Sequence, residues 1–253
     1  MKKIFKLLLC LALVLSFLPI GTVSASDGPA AEDKVIYFSS KDAGTYWSGL
    51  SIGGGVDAYK ITNVKSSKPS VLEVTSTRGS KTSYIEKDYA TGEETTGTDG
   101  SAYINYKIKK AGTATISYKI GKKTYKTKIT AKKYVNPCAS IKLPGVNGGK
   151  DFASSFANAS YNSSTMTISK SIKTFPKLTV KAKSGWQISS IYVAYWGNDN
   201  NRDSHYIDYS FEAGATSKTV YVGPMKKGKR YYLSVSFTNK KDGGSISVNT
   251  YLE

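Results

Sequence analysis

The sequence predicts an all-β chain: two tandem antiparallel β-sandwich domains behind a cleaved signal peptide. Three observations carry this expectation. Apolar and polar residues alternate with a period of two along segment after segment. The candidate strands are short, and turn residues punctuate them every 8–12 residues or so, as in sandwiches. The helical periodicity that would interleave with strands in a parallel α/β enzyme core is almost missing.

Lys2, Lys3 and Lys6 precede an apolar run from Leu7 to Leu18, and Val23-Ser24-Ala25 supplies small residues for cleavage. Residues 1–25 therefore read as a secretory signal peptide. The run is shorter than the roughly 20 residues of a membrane-spanning helix, and no second run follows, so no transmembrane segment is expected. Cleavage would take three lysines from a formal net charge of +18 and leave 228 residues at +15. That length suits two domains of about 100 residues. Cys10 would leave with the signal, so Cys138 stands alone and an intrachain disulfide is excluded. Cys138 is expected either as a small buried residue or as a thiol for pairing between chains.

Residues 26–33 read as a disordered leader, and 34–133 as the first sandwich. Its strands are expected at Lys34–Phe38, Tyr59–Val64, Val71–Thr75, Thr82–Lys87, Ala102–Ile108, Thr113–Ile120 and Thr124–Lys132. Asp88–Gly100 reads as a hairpin loop. The clearest strand is Thr113–Ile120, with Ala114, Ile116, Tyr118 and Ile120 on one face and Thr113, Thr115, Ser117 and Lys119 on the other. Residues 134–137, ending in Pro137, read as a linker. In 138–253 the strands are expected at Ser140–Leu143, Thr165–Ser169, Lys177–Lys183, Ile188–Trp196, Tyr206–Phe211, Lys218–Val222, Tyr231–Thr238 and Ser245–Tyr251.

Ser66-Ser67-Lys68-Pro69-Ser70-Val71-Leu72-Glu73-Val74, followed by Lys110-Ala111-Gly112-Thr113-Ala114-Thr115-Ile116, resembles the paired strand motifs of bacterial Ig-like domains over residues 34–133. The departure is a long insert from Thr77 to Gly100. Met225 to Tyr231 resembles an element of fibronectin type III domains, with Met225 and Lys227 in place of the usual leucine and proline. That resemblance implies a tyrosine corner, with the Tyr231 hydroxyl tied to backbone upstream. Both resemblances imply an extracellular module that spaces, adheres or binds and is not a catalyst.

The residues offer little to an active site. His205, beside Asp203 and Asp208, is the lone histidine, and no G-x-S-x-G elbow supplies it a nucleophile. One cysteine and one histidine cannot make a zinc site. The oxygen-rich stretch from Gly197 to Asp203 lacks EF-hand spacing and contains Arg202. Neither enzyme activity nor a cofactor or metal is expected. The charge is the stronger signal. Lys107, Lys109, Lys119, Lys122, Lys123, Lys126 and Lys128 crowd the end of the first domain as a candidate polyanion-binding face. Lysine suits diffuse attraction to anionic polymer better than the bidentate reading of bases, so anionic cell-wall polymers or acidic glycans are the expected partners, and sequence-specific nucleic acid is not. Other surface proteins are possible partners of such a module. Trp47 and Trp196 are candidate sugar-stacking residues, because adjacent aromatics on a strand point to opposite faces. The resulting expectation is a secreted binding or scaffold module, with a carbohydrate-binding module as the alternative and a hydrolase as the less favoured one.

Overall fold

A computed structural model describes residues 31–39, 46–53, 57–160, 165–195 and 206–253. The signal peptide and residues 26–30 of the leader lie outside them. The described residues form fourteen strands and three short 3-10 turns, an all-β architecture among them, as the alternation predicts.

In the first half, β1 (Lys34–Phe38), β3 (Thr62–Ser66), β6 (Gly112–Ile120) and β7 (Lys123–Lys133) make one layer. The layer packed on it contains β2 (Tyr46–Ile52), β4 (Leu72–Lys87) and β5 (Glu94–Ile108). Ala114, Ile116, Tyr118, Ile129 and Ala131 are buried and meet Leu50, Ile52, Leu72, Ile104 and Ile108 from the other sheet. Each large apolar side chain sealed this way contributes about 1.5–3 kcal/mol. Gly112 enters β6 at φ 148°, a conformation that favours glycine, and a Cβ there would press on Val71 at 3.1 Å.

In the second half, β8 (Cys138–Lys142), β9 (Lys177–Ala182) and β12 (Ser217–Tyr221) form a three-stranded sheet. It packs on β10 (Trp186–Tyr195), β11 (Tyr206–Ala215), β13 (Tyr231–Asn239) and β14 (Ser245–Leu252). Leu178, Val180, Trp186, Ile188, Val235 and Phe237 fill this core, with Phe152 and Phe156 inserted from the loop after β8.

Several elements differ from expectation. Tyr59–Val64 is not one strand: Ala58–Lys60 is a 3-10 turn, and Asn63 at φ 52° breaks the register of β3 against β6. The stretch expected as a strand at Thr165–Ser169 makes only isolated bridges, Met166 to Leu252 and Ile168 to Val146. β2 was not anticipated. The expected hairpin loop at Asp88–Gly100 is mostly strand, because Glu94–Gly100 pairs in register with Lys81–Lys87. The end of the leader is held as well: the Thr127 hydroxyl donates to the Ala31 carbonyl at 2.8 Å, and Asp33 accepts from the Lys128 N–H at 2.7 Å.

The two halves share a sheet. β1 runs parallel to β7 on one side, and on the other its Ile36 registers with Ser245 of β14, also in parallel sense. The result is an eight-stranded sheet of order β11-β10-β13-β14-β1-β7-β6-β3. Successive residues of a strand point to opposite faces. Ile36 packs on the first core and Tyr37 on the second, so the two cores lie on opposite faces of the common sheet.

The junction is polar as well as apolar. Asp242, in the turn between β13 and β14, accepts from the Tyr37 hydroxyl at 2.9 Å, from Lys132 Nζ at 2.6 Å and from the Gly244 N–H at 2.9 Å. Burial would raise its pKa, but the bonds from Lys132, Gly244 and Tyr37 outweigh that and hold it below the ordinary carboxylate range. Desolvation and the neighbouring Asp242 push the Tyr37 hydroxyl up to about 12, so it stays a donor. The Tyr37 ring lies 5.2 Å from Trp186. The linker residues are tied down too: the Tyr134 N–H donates to Phe38 at 2.7 Å, and its hydroxyl donates to the Phe156 carbonyl at 2.8 Å.

Candidate binding surfaces

The seven lysines singled out in the sequence divide between two sheets. Lys107, on β5, and Lys109, just after it, belong to the three-stranded layer of the first half. Both are engaged. Lys107 Nζ lies 4.2 Å from the centre of the Trp47 ring, a cation–π distance. Lys109 pairs with Glu73 at 2.8 Å and lowers that carboxyl's pKa.

Lys119, Lys122, Lys123, Lys126 and Lys128 all lie on the β6–β7 hairpin. Lys119 and Lys126 stand on its outward face, because Lys119 registers with Thr124 and Lys126 with Ser117. Lys122 and Lys123 sit at the tip. Lys128 pairs with Asp33 at 3.2 Å. Among the described residues, no ion pair engages Lys119, Lys122, Lys123 or Lys126. Lys65 on β3 joins them across Ser117. A shallow depression lies between these side chains, lined by Lys65, Ser66, Ser67, Thr115, Ser117 and Lys126. The Thr115 N–H donates to Ser67 Oγ at 2.9 Å, which fixes its rim. Ammonium groups around hydroxyls on a flat sheet can hold oxyanions loosely, without selecting one geometry. Lys65 and the hydroxyl lining are not legible in the sequence, because β3 starts at Thr62, not Tyr59, and its pairing with β6 is not local.

Trp47 is 58% exposed on the outward face of β2. Tyr103, two strand positions further along that face, folds its ring over Gly49, which leaves no room there for a Cβ. Asn105 Nδ2 donates to Ser76 Oγ at 2.9 Å beside them. Trp196 lies outside the described residues, and so does His205. Trp186 is core. On the second half of the shared sheet Tyr192, Tyr232 and Tyr251 form a row, with ring centres 6.3 and 5.6 Å apart and the Arg230 guanidinium 3.8 Å from the Tyr251 ring centre. The Tyr232 hydroxyl donates to Asn249 Oδ1 at 2.9 Å.

Two further residues are accounted for structurally. The Lys226 N–H donates to the Tyr231 hydroxyl at 2.8 Å, five residues upstream, which is the tie the fibronectin-like motif implied. Cys138 is buried against Ser140 and Lys181 carbonyls, and burial pushes its thiol up to about 12. It is therefore neutral and shielded, a poor candidate for pairing between chains. Among the described residues there is no cluster of three metal-ligating side chains, and no helix is long and apolar enough to cross a membrane.

No family model and no curated protein matches the chain. Among solved structures it is similar to protocadherin gamma B7 extracellular cadherin domains 1–4, at 10% identity and a TM-score of 0.26, covering 88% of this chain and 50% of that one. Domains 5–6 of the S-layer protein SbsC align at 14% identity and a TM-score of 0.23, covering 90% and 94% of the two chains. The Yersinia pseudotuberculosis adhesin InvE aligns at 12% and 0.21, covering 88% and 56%. Likenesses this distant say nothing about ligand or partner.

Proposed function

We propose that this chain is a secreted, non-catalytic adhesion or scaffold module of Ig-like build. It associates with anionic envelope or extracellular polymers through the lysine face of β3, β6 and β7. The observation that carries the reading is that Lys119, Lys122, Lys123 and Lys126 crowd one hairpin with no carboxylate paired to them among the described residues. Their field is left for an external anion. The test is binding to heparin and to a polyglycerol phosphate at several salt concentrations. Affinity is expected to fall steeply with salt, and a variant with these four lysines changed to glutamine is expected to lose about tenfold or more. Salt-independent binding, or full binding by the variant, would overturn the reading.

A second reading, a carbohydrate platform, is favoured by the exposure of Trp47 beside Tyr103 and Asn105. Lys107 over the indole suits an acidic sugar. Trp47→Ala should then abolish glycan-array binding while leaving heparin binding intact; an array silent for the parent chain ends this reading.

A further inference from the structure

Charge is segregated along this chain in a way its net value hides. From Glu86 to Asp99 there are five carboxylates, Glu86, Asp88, Glu93, Glu94 and Asp99, against Lys87 alone. From Gly100 to Lys150 there are twelve lysines and no acid. The first stretch is the outer part of the β4–β5 ribbon, and the second contains β6 and β7.

The ribbon points away from its own core. Every residue of β4 from Thr75 to Lys87 is exposed; near its base the ribbon leans on Tyr59, whose backbone crowds Gly79 and whose ring centre lies 5.8 Å from Lys81 Nζ, and the outer part from Thr82 to Lys87 is exposed throughout. β2 covers β5 only from Ala102 onward. Two strands without a hydrophobic face are at best marginally stable in water, yet this pair keeps unbroken register from Ser76 to Lys87. Local devices hold it. The Tyr84 ring lies over Gly97 on the facing strand. Lys87 pairs with Glu94 at 3.3 Å. Asp88 Oδ1 accepts from the N–H groups of Ala90 at 2.8 Å and Thr91 at 3.2 Å and shapes the turn. The tip also presents apolar surface: Tyr89 is 95% exposed, and Ile85 is exposed as well. Among the described residues, no ion pair joins the ribbon's acids to the lysines of β6 and β7.

We infer that the ribbon is a docking element for a second copy of this chain, its acidic tip seating on the lysine and hydroxyl face of β3, β6 and β7 of the neighbour. The charges match. The ribbon between Glu86 and Asp99 carries a net charge of −4, and four lysines on the face, Lys119, Lys122, Lys123 and Lys126, stand outside the ion pairs of the described residues. Complementary fields of this kind set partner choice and approach rate. Ser66, Ser67, Thr115 and Ser117 in the depression offer hydroxyl donors to carboxylates. Ribbon and face are different patches, so the contact is either exchanged reciprocally in a two-fold dimer or repeated head to tail as a row or ring of copies. The inference rests on the lysine face being an anion receptor, as proposed above; ribbon and polymer then compete for it.

The test is sedimentation velocity on the mature full chain in low and high salt, up to about 0.5 mM protein, beside heparin binding by the same samples. The parent is expected to associate with rising concentration in low salt and to dissociate in high salt. E86K/E93K/E94K should stay monomeric, still bind heparin and keep the parent's far-UV circular dichroism and unfolding midpoint, which show that it is folded. K119E/K122E/K126E should stay monomeric and lose heparin. Mixing these two charge-reversed variants should restore association that neither shows alone. A parent chain that stays monomeric in low salt, or association that survives the ribbon substitutions, overturns the inference. Association that needs the ribbon, in a chain that ignores heparin, would instead sink the polymer-binding reading alone.

Discussion

Asp242 meets both halves of the molecule at once: Tyr37 from β1, Lys132 from β7 and its own turn at Gly244. Its side chain is 15% exposed, so these bonds are shielded and worth more than a surface pair. Asp242→Asn is expected to cost about 1–2 kcal/mol at neutral pH, through weaker bonds from Tyr37, Gly244 and Lys132; the Lys132 side chain is 41% exposed, so its ammonium can turn to water. Because the folded pKa is depressed, the carboxylate's contribution is complete above its unfolded value near 4 and is lost as pH falls through the folded value. Urea unfolding of parent and variant should show a gap at pH 7 that closes toward pH 3; an equal gap at both would refute the account. Asp242 was invisible in the sequence, where it looks like any acid in a Lys-Lys-Asp-Gly-Gly turn. Its partners lie 205 and 110 residues away. The Tyr231 tie was readable because its partner is five residues off.

At the scale of elements, hairpins were legible where one face is wet and the other is packed. β6 and β7 show this, and so do β9 and β13, where Leu178 and Val180 or Leu233 and Val235 alternate with polar residues. Only half of the ribbon is legible in the sequence: Thr82–Lys87 has the pattern of a strand, but Glu94–Gly100, rich in Thr and Gly, has that of a loop. Pairing supplies its backbone hydrogen bonds, and no apolar pattern is needed when nothing is buried. The same reasoning yields a prediction. Lys81 and Gly100 are register partners, so residues 82–99 can be replaced by an Asn-Gly turn that closes the hairpin. With almost no core surface removed, stability should change by less than about 1 kcal/mol, read as the midpoint of thermal or urea unfolding. A loss of several kcal/mol would mean that the ribbon is structural. The exposure of Lys119, Lys126 and Lys128 is legible from the alternation of β6 and β7. Lys107 and Lys109 were grouped with them only because they are close in sequence.

Over the whole molecule the two cores were legible and their coupling was not. A signal for it was present: Val35-Ile36-Tyr37-Phe38 is apolar without alternation, the pattern of a strand covered on both faces. β1 is that strand, serving one core with Ile36 and the other with Tyr37. The halves should therefore unfold together. A single calorimetric transition is expected for the full chain, and Ile36→Ala with Tyr37→Ala should either split it in two or lower it as a whole. Two well-separated transitions in the parent would contradict the shared sheet as a coupling element. The same strand has a kinetic consequence. Ile36 and Ser245 are neighbours in space and 209 residues apart along the chain, so their pairing closes one of the longest loops in the fold and pays the greatest entropy of closure. During synthesis the first strand has to wait, exposed along one edge, until nearly the last has emerged. The step that joins the halves should then be slow and late, and sensitive to anything that occupies that edge in the meantime.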